Sequence, residues 1–420
     1  MSDQNYNRWL ILAAAVIMNL CIGTLYAWSV FAKPLGAQFS WAAPALALAF
    51  TINHGLSPVS MIGGGFIQDK LGSKTTIVIG GLMFTAGLLL TGFISEGSSI
   101  GVLYLSYSAL AGIGGGVVYA GTMANTVKFF PDKRGLAAGI CAAGYGCGAM
   151  LMAPIASALI IKYGILVCFQ ILGSVFFVVI ALALTVTKRA PANYAPAGWT
   201  PPPTARTRTS SEDNTWTQMI SQGIWWVIMI MLYCGAMSGL MVVAHASPIG
   251  QLMFNLTPMK AAFFVSIITL ANALGRVGFG ALSDRIGRSN TIMLMYVVSA
   301  LSMLNLTFTT SVPGFVASGI GVGAVFGGFL CLLPPIIGER YGMKNFGVNY
   351  GVTFIGFSLA ALSGPLLAAK VRVATGDYNQ AFWIALGVNV VGLVFAFIYR
   401  TMDNKSTAAD SAYVKKSYAR

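Results

Sequence analysis

The sequence predicts an all-α integral membrane protein with twelve transmembrane helices in two pseudo-symmetric six-helix bundles. Three observations lead to this prediction. Of the 420 residues, 56% are hydrophobic and only 9% are charged, which is too few charges to cover a soluble domain of this size. Twelve apolar runs are long enough to cross ~30 Å of hydrocarbon. Two short patterns recur at nearly the same spacing along the chain, which indicates an internal duplication.

Each apolar run is expected to be a helix, because a segment in lipid must satisfy its own backbone hydrogen bonds. Short polar loops separate the runs. In chain order the runs lie near Trp9–Phe31, Pro44–Phe66, Thr75–Ser95, Ser99–Met123, Leu136–Ile161, Gly164–Thr187, Met219–Ala244, Met259–Ala281, Thr291–Thr310, Pro313–Gly338, Val348–Ala369 and Ala381–Arg400.

A polar segment from Lys188 to Thr217 interrupts the series after the sixth run. It is rich in proline, serine, threonine and arginine, a composition typical of flexible linkers. We therefore expect four parts: an N-terminal six-helix bundle (1–187), a cytoplasmic linker (188–217), a C-terminal six-helix bundle (218–400) and a basic cytoplasmic tail (401–420).

The net charge of +14 does not indicate a nucleic-acid interface. The basic residues fall in short loops instead of clustering on one face with interleaved aromatic residues. With both termini on one side of the membrane, that side holds most of the 25 Lys and Arg residues, and the positive-inside rule makes it the cytoplasm. The six cysteines lie in apolar runs without metal-ligand spacing, and no cofactor, nucleotide or metal is implied.

Arg276 is the most informative single residue, because it lies inside the apolar run Met259–Ala281. The next polar loop opens at Asp284, roughly 12 Å further along a helix, which places the charge near mid-membrane. Arginine keeps its proton in proteins, and a charge at the bilayer centre costs at least ~2.5–3.5 kcal/mol. Asn272 lies one turn earlier on the same helix face. Since the predicted runs contain no acidic residue, Arg276 indicates an anion-binding site; alternatively it reaches the membrane surface or bonds backbone carbonyls.

Two charged loops occupy equivalent positions in the two predicted bundles. The pattern Gly-x3-Asp-[Lys/Arg]-x-Gly occurs at Gly65–Gly72 and again at Gly280–Gly287, and Gly-x3-Gly-x4-Gly-aromatic begins at Gly135 and again at Gly347. The loop charges can meet helix N-termini, and such contacts can hold two helices together in one state and release them in another. We therefore assign conformational gating to Asp69, Lys70, Asp284 and Arg285.

The doubled loop pattern, the twelve runs and the central linker resemble the major facilitator superfamily over nearly the whole chain. Within it, Phe129–Gly139, Ala143–Gly146 and Asn349–Gly351 are similar to the group of oxalate/formate antiporters and monocarboxylate transporters. This resemblance implies that Arg276 binds a substrate carboxylate. It also implies that cavity-lining or wall positions are occupied by Tyr26, Tyr119, Tyr145, Phe326, Leu330 and Phe354.

Two departures from that group bear on the substrate. The oxalate carriers have a second buried cation, a lysine, where this chain has Phe357, and the aspartate of the animal carriers is replaced by Asn272. One cation balances one carboxylate, so a dicarboxylate would leave a second charge unpaired in a low dielectric. We therefore expect a small monocarboxylate whose apolar part lies against Leu25, Phe326, Leu330 and Phe357.

A transporter that moves its substrate together with a proton needs a group that binds this proton, and the ionisable residues inside the membrane are the candidates. The chain has two histidines: His54 lies in the second predicted run, and His245 follows Ala244 at the outer end of the seventh span. Histidine titrates between about pH 5 and 8, and ionisable residues inside a membrane are functional candidates. We place His245 on the substrate route and take His245 and Arg276 as proton-coupling candidates. Alternatively, either histidine bonds a backbone carbonyl, or the substrate carries the proton as the neutral acid.

The sequence as a whole favours a secondary transporter that moves a small monocarboxylate, such as lactate or pyruvate, together with a proton by alternating access. We expect a monomer in the bacterial inner (plasma) membrane, multi-pass, with both termini cytoplasmic. The alternative is a carboxylate anion exchanger. An enzyme would need a nucleophile with a base, a carboxylate pair or a metal cluster, and none is visible in the runs. A sensor of the same fold would use Arg276 for binding alone.

Overall fold

The computed structural model describes residues 7–191, 194–196, 199–200 and 213–418. Much of the expected linker, namely residues 192–193, 197–198 and 201–212, therefore lies outside the described residues, as do the last two residues of the expected tail.

The first six spans are built from nine α-helices, one 3₁₀ segment and one π-helical segment. A 3₁₀ segment at Gly23–Ala27 joins α1 to α2, and a π-helical segment at Tyr104–Ala111 joins α6 to α7. The helices are α1 (Arg8–Ile22), α2 (Trp28–Phe39), α3 (Ala43–Gly55), α4 (Ser57–Leu71), α5 (Ser73–Gly92), α6 (Ile100–Leu103), α7 (Gly112–Phe129), α8 (Arg134–Tyr163) and α9 (Ile165–Val186).

The second six spans follow a short helix that begins with a capping box at Thr215 and Gln218. The last helix continues without a break beyond residue 401, where the sequence suggested a separate tail. The helices are α10 (Trp216–Ser221), α11 (Gly223–Phe254), α12 (Pro258–Ile286), α13 (Arg288–Phe308), α14 (Val312–Tyr341), α15 (Phe346–Thr353), α16 (Ile355–Thr375) and α17 (Asn379–Tyr418).

Twelve spans in the described part of the chain are long and apolar enough to cross a membrane, which confirms the predicted all-α membrane fold. Their helices extend past the apolar runs that the sequence marks: α12 continues to Ile286 and α14 to Tyr341. Charged residues at these ends are thus helical, because the helix need not stop where the hydrocarbon does.

The chain divides into two compact units. The first consists of Met1–Phe130, Ile140–Tyr194 and Tyr350–Val352, and the second of Pro131–Gly139, Ala195–Asn349 and Thr353–Arg420. The expected borders at 187 and 218 remain a prediction, because much of the segment between them lies outside the described residues.

Four spans are not continuous α-helices. The first is interrupted by the 3₁₀ segment that contains Tyr26, and the second by the change from α3 to α4 directly after His54 and Gly55. The fourth contains the π segment, and the eleventh is interrupted at Phe354, between α15 and α16. Irregular backbone at membrane depth is tolerated where it is buried in protein or lines a cavity. We therefore expect the backbone at these four breaks to face the protein interior or a cavity, and not lipid.

Glycine allows unusually close helix packing in both units. A Cβ atom at Gly114 of α7 would overlap the backbone of Phe84 on α5, and one at Gly275 of α12 would overlap the Ala324 carbonyl on α14. Small residues at such crossings let backbones approach, which is a common way for helices to associate in lipid. The second crossing matters most for function, because Gly275 directly precedes Arg276.

Candidate functional site

Arg276 is buried on α12, with 4% of its surface exposed. Its Nε donates a hydrogen bond of 3.0 Å to Oδ1 of Asn272, one helical turn earlier. The Asn272 amide nitrogen donates in turn to the Gly323 carbonyl of α14 at 3.2 Å. Asn272 thus links the Nε side of the guanidinium to the neighbouring helix α14. A guanidinium has five N–H groups in a planar fork, and a pair of them can form two parallel bonds to a carboxylate.

The backbone around Arg276 leaves no room for a larger neighbour. A Cβ atom at Gly327 of α14 would overlap the Asn272 carbonyl and lie 3.0 Å from Cγ of Arg276. A Cβ atom at Gly139, in the first turns of α8, would overlap the Arg276 carbonyl. The backbone and Cγ of Arg276 are therefore held by close packing, and Asn272 orients the guanidinium.

The predicted apolar wall of the second unit forms one cluster. Phe326 and Leu330 lie one turn apart on α14 and are 8% and 6% exposed. The ring of Phe357 stacks against Phe326 with 6.3 Å between ring centroids and contacts Phe354 at 4.8 Å. All four side chains pack into the same hydrophobic core cluster of this unit. The structure thus brings together Phe326, Leu330 and Phe357 of the expected apolar wall with the further wall candidate Phe354, whereas Leu25 lies in the first unit.

His245 on α11 is hydrogen-bonded through both ring nitrogens. Its Nε2 lies 3.0 Å from the Pro365 carbonyl and its Nδ1 lies 3.1 Å from the Tyr378 hydroxyl. A carbonyl only accepts, so Nε2 carries the hydrogen, and Nδ1 of the neutral ring accepts from the tyrosine. Arg372 lies over the Tyr378 ring at 5.9 Å. In this state His245 connects α11 to α16 and to the turn before α17.

The predicted tyrosines of the first unit lie in a row. Tyr145 on α8 contacts Tyr119 on α7 at 5.3 Å and Tyr26 at 5.1 Å between ring centroids. Tyr26 contacts His54 at 5.0 Å. Leu25 is buried beside the first unit's Gly115, and its carbonyl accepts from the Tyr107 hydroxyl. The row combines broad ring faces with hydroxyl groups, a common lining for a small-molecule site.

Asp284 of the second charged loop caps the beginning of α8. Its two carboxylate oxygens accept from the backbone N–H groups of Gly135 and Leu136 at 2.9 and 2.8 Å. Arg288 donates to Asp284 at 2.7 Å and to Glu339 of α14 at 2.6 Å. A carboxylate at a helix N-terminus is favoured by the exposed N–H groups and the helix dipole. This single carboxylate therefore joins the ends of three helices.

The other predicted gating residues differ in their surroundings. Asp69 is partly buried in the last turn of α4, whereas Lys70 and Arg285 are exposed. A polar cavity of about 330 Å³ lies beside the Asp284 cluster. Its walls include Asp132, Ser283, Asp284, Arg288, Glu339, Arg340 and Asp403.

Asp284→Ala is expected to lower the stability of the protein by about 0.5–2 kcal/mol, because two N–H groups lose their acceptor at a helix start. Arg285→Gln should change stability by less than about 0.5 kcal/mol, since the Arg285 side chain is exposed. Both can be measured from the melting temperature of purified protein in one detergent. Equal shifts for the two variants would exclude a capping role for Asp284.

Sequence reasoning did not include Glu339 or Arg288 in the gate. Arg288 is part of the repeated loop pattern, but the pattern alone does not say which of its two arginines pairs with Asp284. Glu339 lies 51 positions from Arg288 along the chain, and only helix packing brings them together. His54 was considered as an alternative and was not placed in the site, although it ends the tyrosine row.

Comparison with known proteins agrees with this fold. The family profile of the Major Facilitator Superfamily matches residues 9–330 and 254–417. The outward-conformation structure of the transporter FucP superimposes with a TM-score of 0.72 at 14% identity and covers 92% of this chain and 98% of FucP. The chain therefore belongs to the Major Facilitator Superfamily.

Individual relatives show which members of the superfamily this chain is similar to. The uncharacterised transporter YhjX of Escherichia coli (strain K12) is 30% identical, with 86% of this chain and 88% of the relative covered. The oxalate:formate antiporter of Oxalobacter formigenes is 29% identical, covering 93% and 91%. Human monocarboxylate transporter 12 is 24% identical, covering 89% and 77%. The protein is a membrane transporter of this superfamily whose relatives include a carboxylate antiporter and monocarboxylate transporters.

Proposed function

We propose that the protein is a secondary active transporter of a small monocarboxylate of the lactate or pyruvate type, coupled to a proton. The observation that carries the proposal is the permanent charge of Arg276, 4% exposed within an apolar span and fixed by Asn272. A buried cation gains most from a ligand that brings one negative charge, and a carboxylate matches the planar guanidinium with two hydrogen bonds.

The remaining site assignments follow from this anchor. Asn272 orients the guanidinium, and Phe326, Leu330, Phe354 and Phe357 supply an apolar surface for the hydrocarbon part of the substrate. Leu25, Tyr26, Tyr119 and Tyr145 are the substrate-binding candidates of the first unit, and His245 is a further candidate in the second unit. The names of the relatives support a carboxylate substrate, since one is a transporter of oxalate and formate and another a monocarboxylate transporter.

Transport by alternating access requires that the site open to one side of the membrane at a time. We assign the charged loops around Asp69, Lys70, Asp284 and Arg285 to this change, because charge–helix contacts such as the one at Asp284 can break and re-form as whole units. We place the protein in the bacterial inner membrane as a monomer, with both termini in the cytoplasm as the distribution of basic residues favours.

Carboxylate exchange is the second candidate, and the antiporter among the relatives favours it. A symporter and an exchanger differ in what drives uptake. A proton symporter accumulates substrate in empty vesicles when the outside is acidified, whereas an exchanger needs a carboxylate inside the vesicle. A non-transporting sensor does neither.

The test is uptake of labelled lactate into liposomes that contain the purified protein, after an acid step outside and with no carboxylate inside. We expect uptake above that of protein-free liposomes, which report the leak of the undissociated acid. A protonophore should abolish accumulation. Uptake only in vesicles preloaded with a carboxylate would establish exchange, and no uptake in either case would reject monocarboxylate transport.

A further inference from the structure

His54 occupies the last turn of α3, directly before the second span breaks. The next helix, α4, begins at Ser57 with Pro58 in its first turn. Proline has no N–H for the carbonyl four residues earlier, which is that of His54, so the backbone hydrogen-bond ladder is interrupted here. The imidazole is thus attached to a bend in a transmembrane helix, where a small change in backbone angle moves the ring.

The two ring nitrogens of His54 have different surroundings. Nδ1 lies 3.2 Å from the Phe50 carbonyl, one turn earlier. A carbonyl only accepts, so Nδ1 carries the hydrogen and Nε2 has the free lone pair. Among the described residues, Nε2 is buried without any hydrogen-bond partner. A buried acceptor that is left unpaired is unfavourable, and such a group calls for a partner that is bound in another state.

Two aromatic rings contact the imidazole of His54. The Phe50 ring lies 4.0 Å and the Tyr26 ring 5.0 Å from the imidazole, measured between centroids. Tyr26 begins the row that continues to Tyr145 and Tyr119. A cation near the faces of aromatic rings is stabilised by their quadrupoles, so these surroundings suit an imidazolium that is removed from water.

The other ionisable groups near α3 are engaged elsewhere, lie at helix ends or, in the case of Lys33, are exposed. The π segment against α3 carries two tyrosines, and their hydroxyls donate to the carbonyls of Ala45 and Leu25. The charged residues on neighbouring helices are Lys33 on α2, Asp69 and Lys70 in the last turn of α4, and Lys128 in the last turn of α7. Among the titratable side chains on these neighbouring elements, the described residues show a contact with the imidazole for Tyr26.

We propose that Nε2 of His54 accepts the proton that accompanies the carboxylate. The step is simple: a proton from water forms an N–H bond with the Nε2 lone pair, the ring becomes an imidazolium, and the same proton is released to water on the other side. The bend after α3 exposes Nε2 to one side and then to the other. One carboxylate and one proton then cross together without net charge. This inference rests on the proposed symport and assigns its proton site.

The two candidates named from the sequence lack this property in the structure. Arginine is always protonated and has no lone pair for a proton. His245 has Nδ1 bonded to Tyr378 and Nε2 bonded to Pro365, so a proton can bind only after the Tyr378 hydroxyl turns away. His54 needs no such rearrangement at its nitrogen. The test is therefore to compare proton coupling in variants of His54 and of His245.

His54→Gln removes the titrating nitrogen and keeps a polar side chain of similar reach. In weakly buffered liposomes, labelled lactate uptake and the pH of the outer medium are recorded together, and lactate counterflow is recorded at equal pH on both sides. For wild type we expect the medium to become more alkaline as lactate enters. For His54→Gln we expect counterflow to persist while the proton flux and pH-driven accumulation are lost. Thr51→Val, an exposed position on the same helix, is the matched control and should behave as wild type.

Failure of this inference can be told apart from failure of the proposed function. Wild-type lactate transport without a proton flux would overturn both the symport and the proton site, whereas no wild-type counterflow would reject transport itself. Normal proton coupling in His54→Gln, or its loss in His245→Gln alone, would overturn the assignment to His54. Should His54→Gln not fold, Phe50→Leu retains the histidine and removes one aromatic face. The pH midpoint of uptake should then move to lower pH, and an unchanged midpoint would also contradict the proposal.

Discussion

Arg276→Lys is expected to transport lactate as poorly as Arg276→Ala, at least ~30-fold below wild type, because truncating one partner of a buried charge pair costs about 2–5 kcal/mol. Lysine retains the charge but offers a single ammonium in place of a planar fork. It also has no Nε–H in the position that now donates to Asn272 at 3.0 Å. The charge would therefore lose both its orientation and its second hydrogen bond to the carboxylate.

The measurement is initial lactate uptake per amount of folded protein in liposomes, with folding checked by size-exclusion chromatography. Arg400→Lys is the matched control, because Arg400 is exposed and lies outside the proposed site. Near-normal transport by Arg276→Lys would show that the site needs only a positive charge. The planar recognition of one carboxylate would then be wrong.

Local spacing explains how much of this site the sequence predicts. Asn272 and Arg276 are four residues apart on a helix, so their contact follows from helical geometry alone. Phe326 and Leu330 have the same spacing, and the family resemblance assigns both to cavity-lining or wall positions. The twelve spans and the duplication are likewise visible, since lipid imposes long apolar runs and the repeated loops are recognisable in the chain.

The parts that sequence did not predict depend on contacts between helices or on hydrogen positions. The sequence indicates that the loop charges can meet helix N-termini, but it does not indicate that Asp284 meets α8 or that Arg288 reaches Glu339. The difference between the two histidines is of the same kind. His54 and His245 both lie in membrane spans, and only the structure shows that, among the described residues, Nε2 of His54 has no hydrogen-bond partner while both ring nitrogens of His245 are hydrogen-bonded.

Oxalate is expected to compete with labelled lactate at least ~10²-fold more weakly than lactate itself, because desolvating a second carboxylate without a partner costs several kcal/mol. The second carboxylate would face the apolar cluster in which Phe357 contacts Phe326 and Phe354. A monocarboxylate presents only hydrocarbon or a small polar group to the same surface.

Phe357→Lys should reverse part of this preference. The new cation gives the second carboxylate a partner, so oxalate should compete better than in wild type. Lactate should bind more weakly, because its single charge leaves one of two buried cations unpaired. Phe357→Leu is the control: it removes the aromatic ring without adding charge, and it should leave oxalate a poor competitor.

Competition curves for oxalate against labelled lactate in liposomes with wild type, Phe357→Lys and Phe357→Leu decide the question. Improved oxalate binding in the leucine variant would attribute the wild-type preference to the size of the ring instead of the charge count. Oxalate binding as tight as lactate binding in wild type would mean that a second positive group or an ordered water already faces the substrate. The single charge of Arg276 would then no longer set the charge of the transported anion.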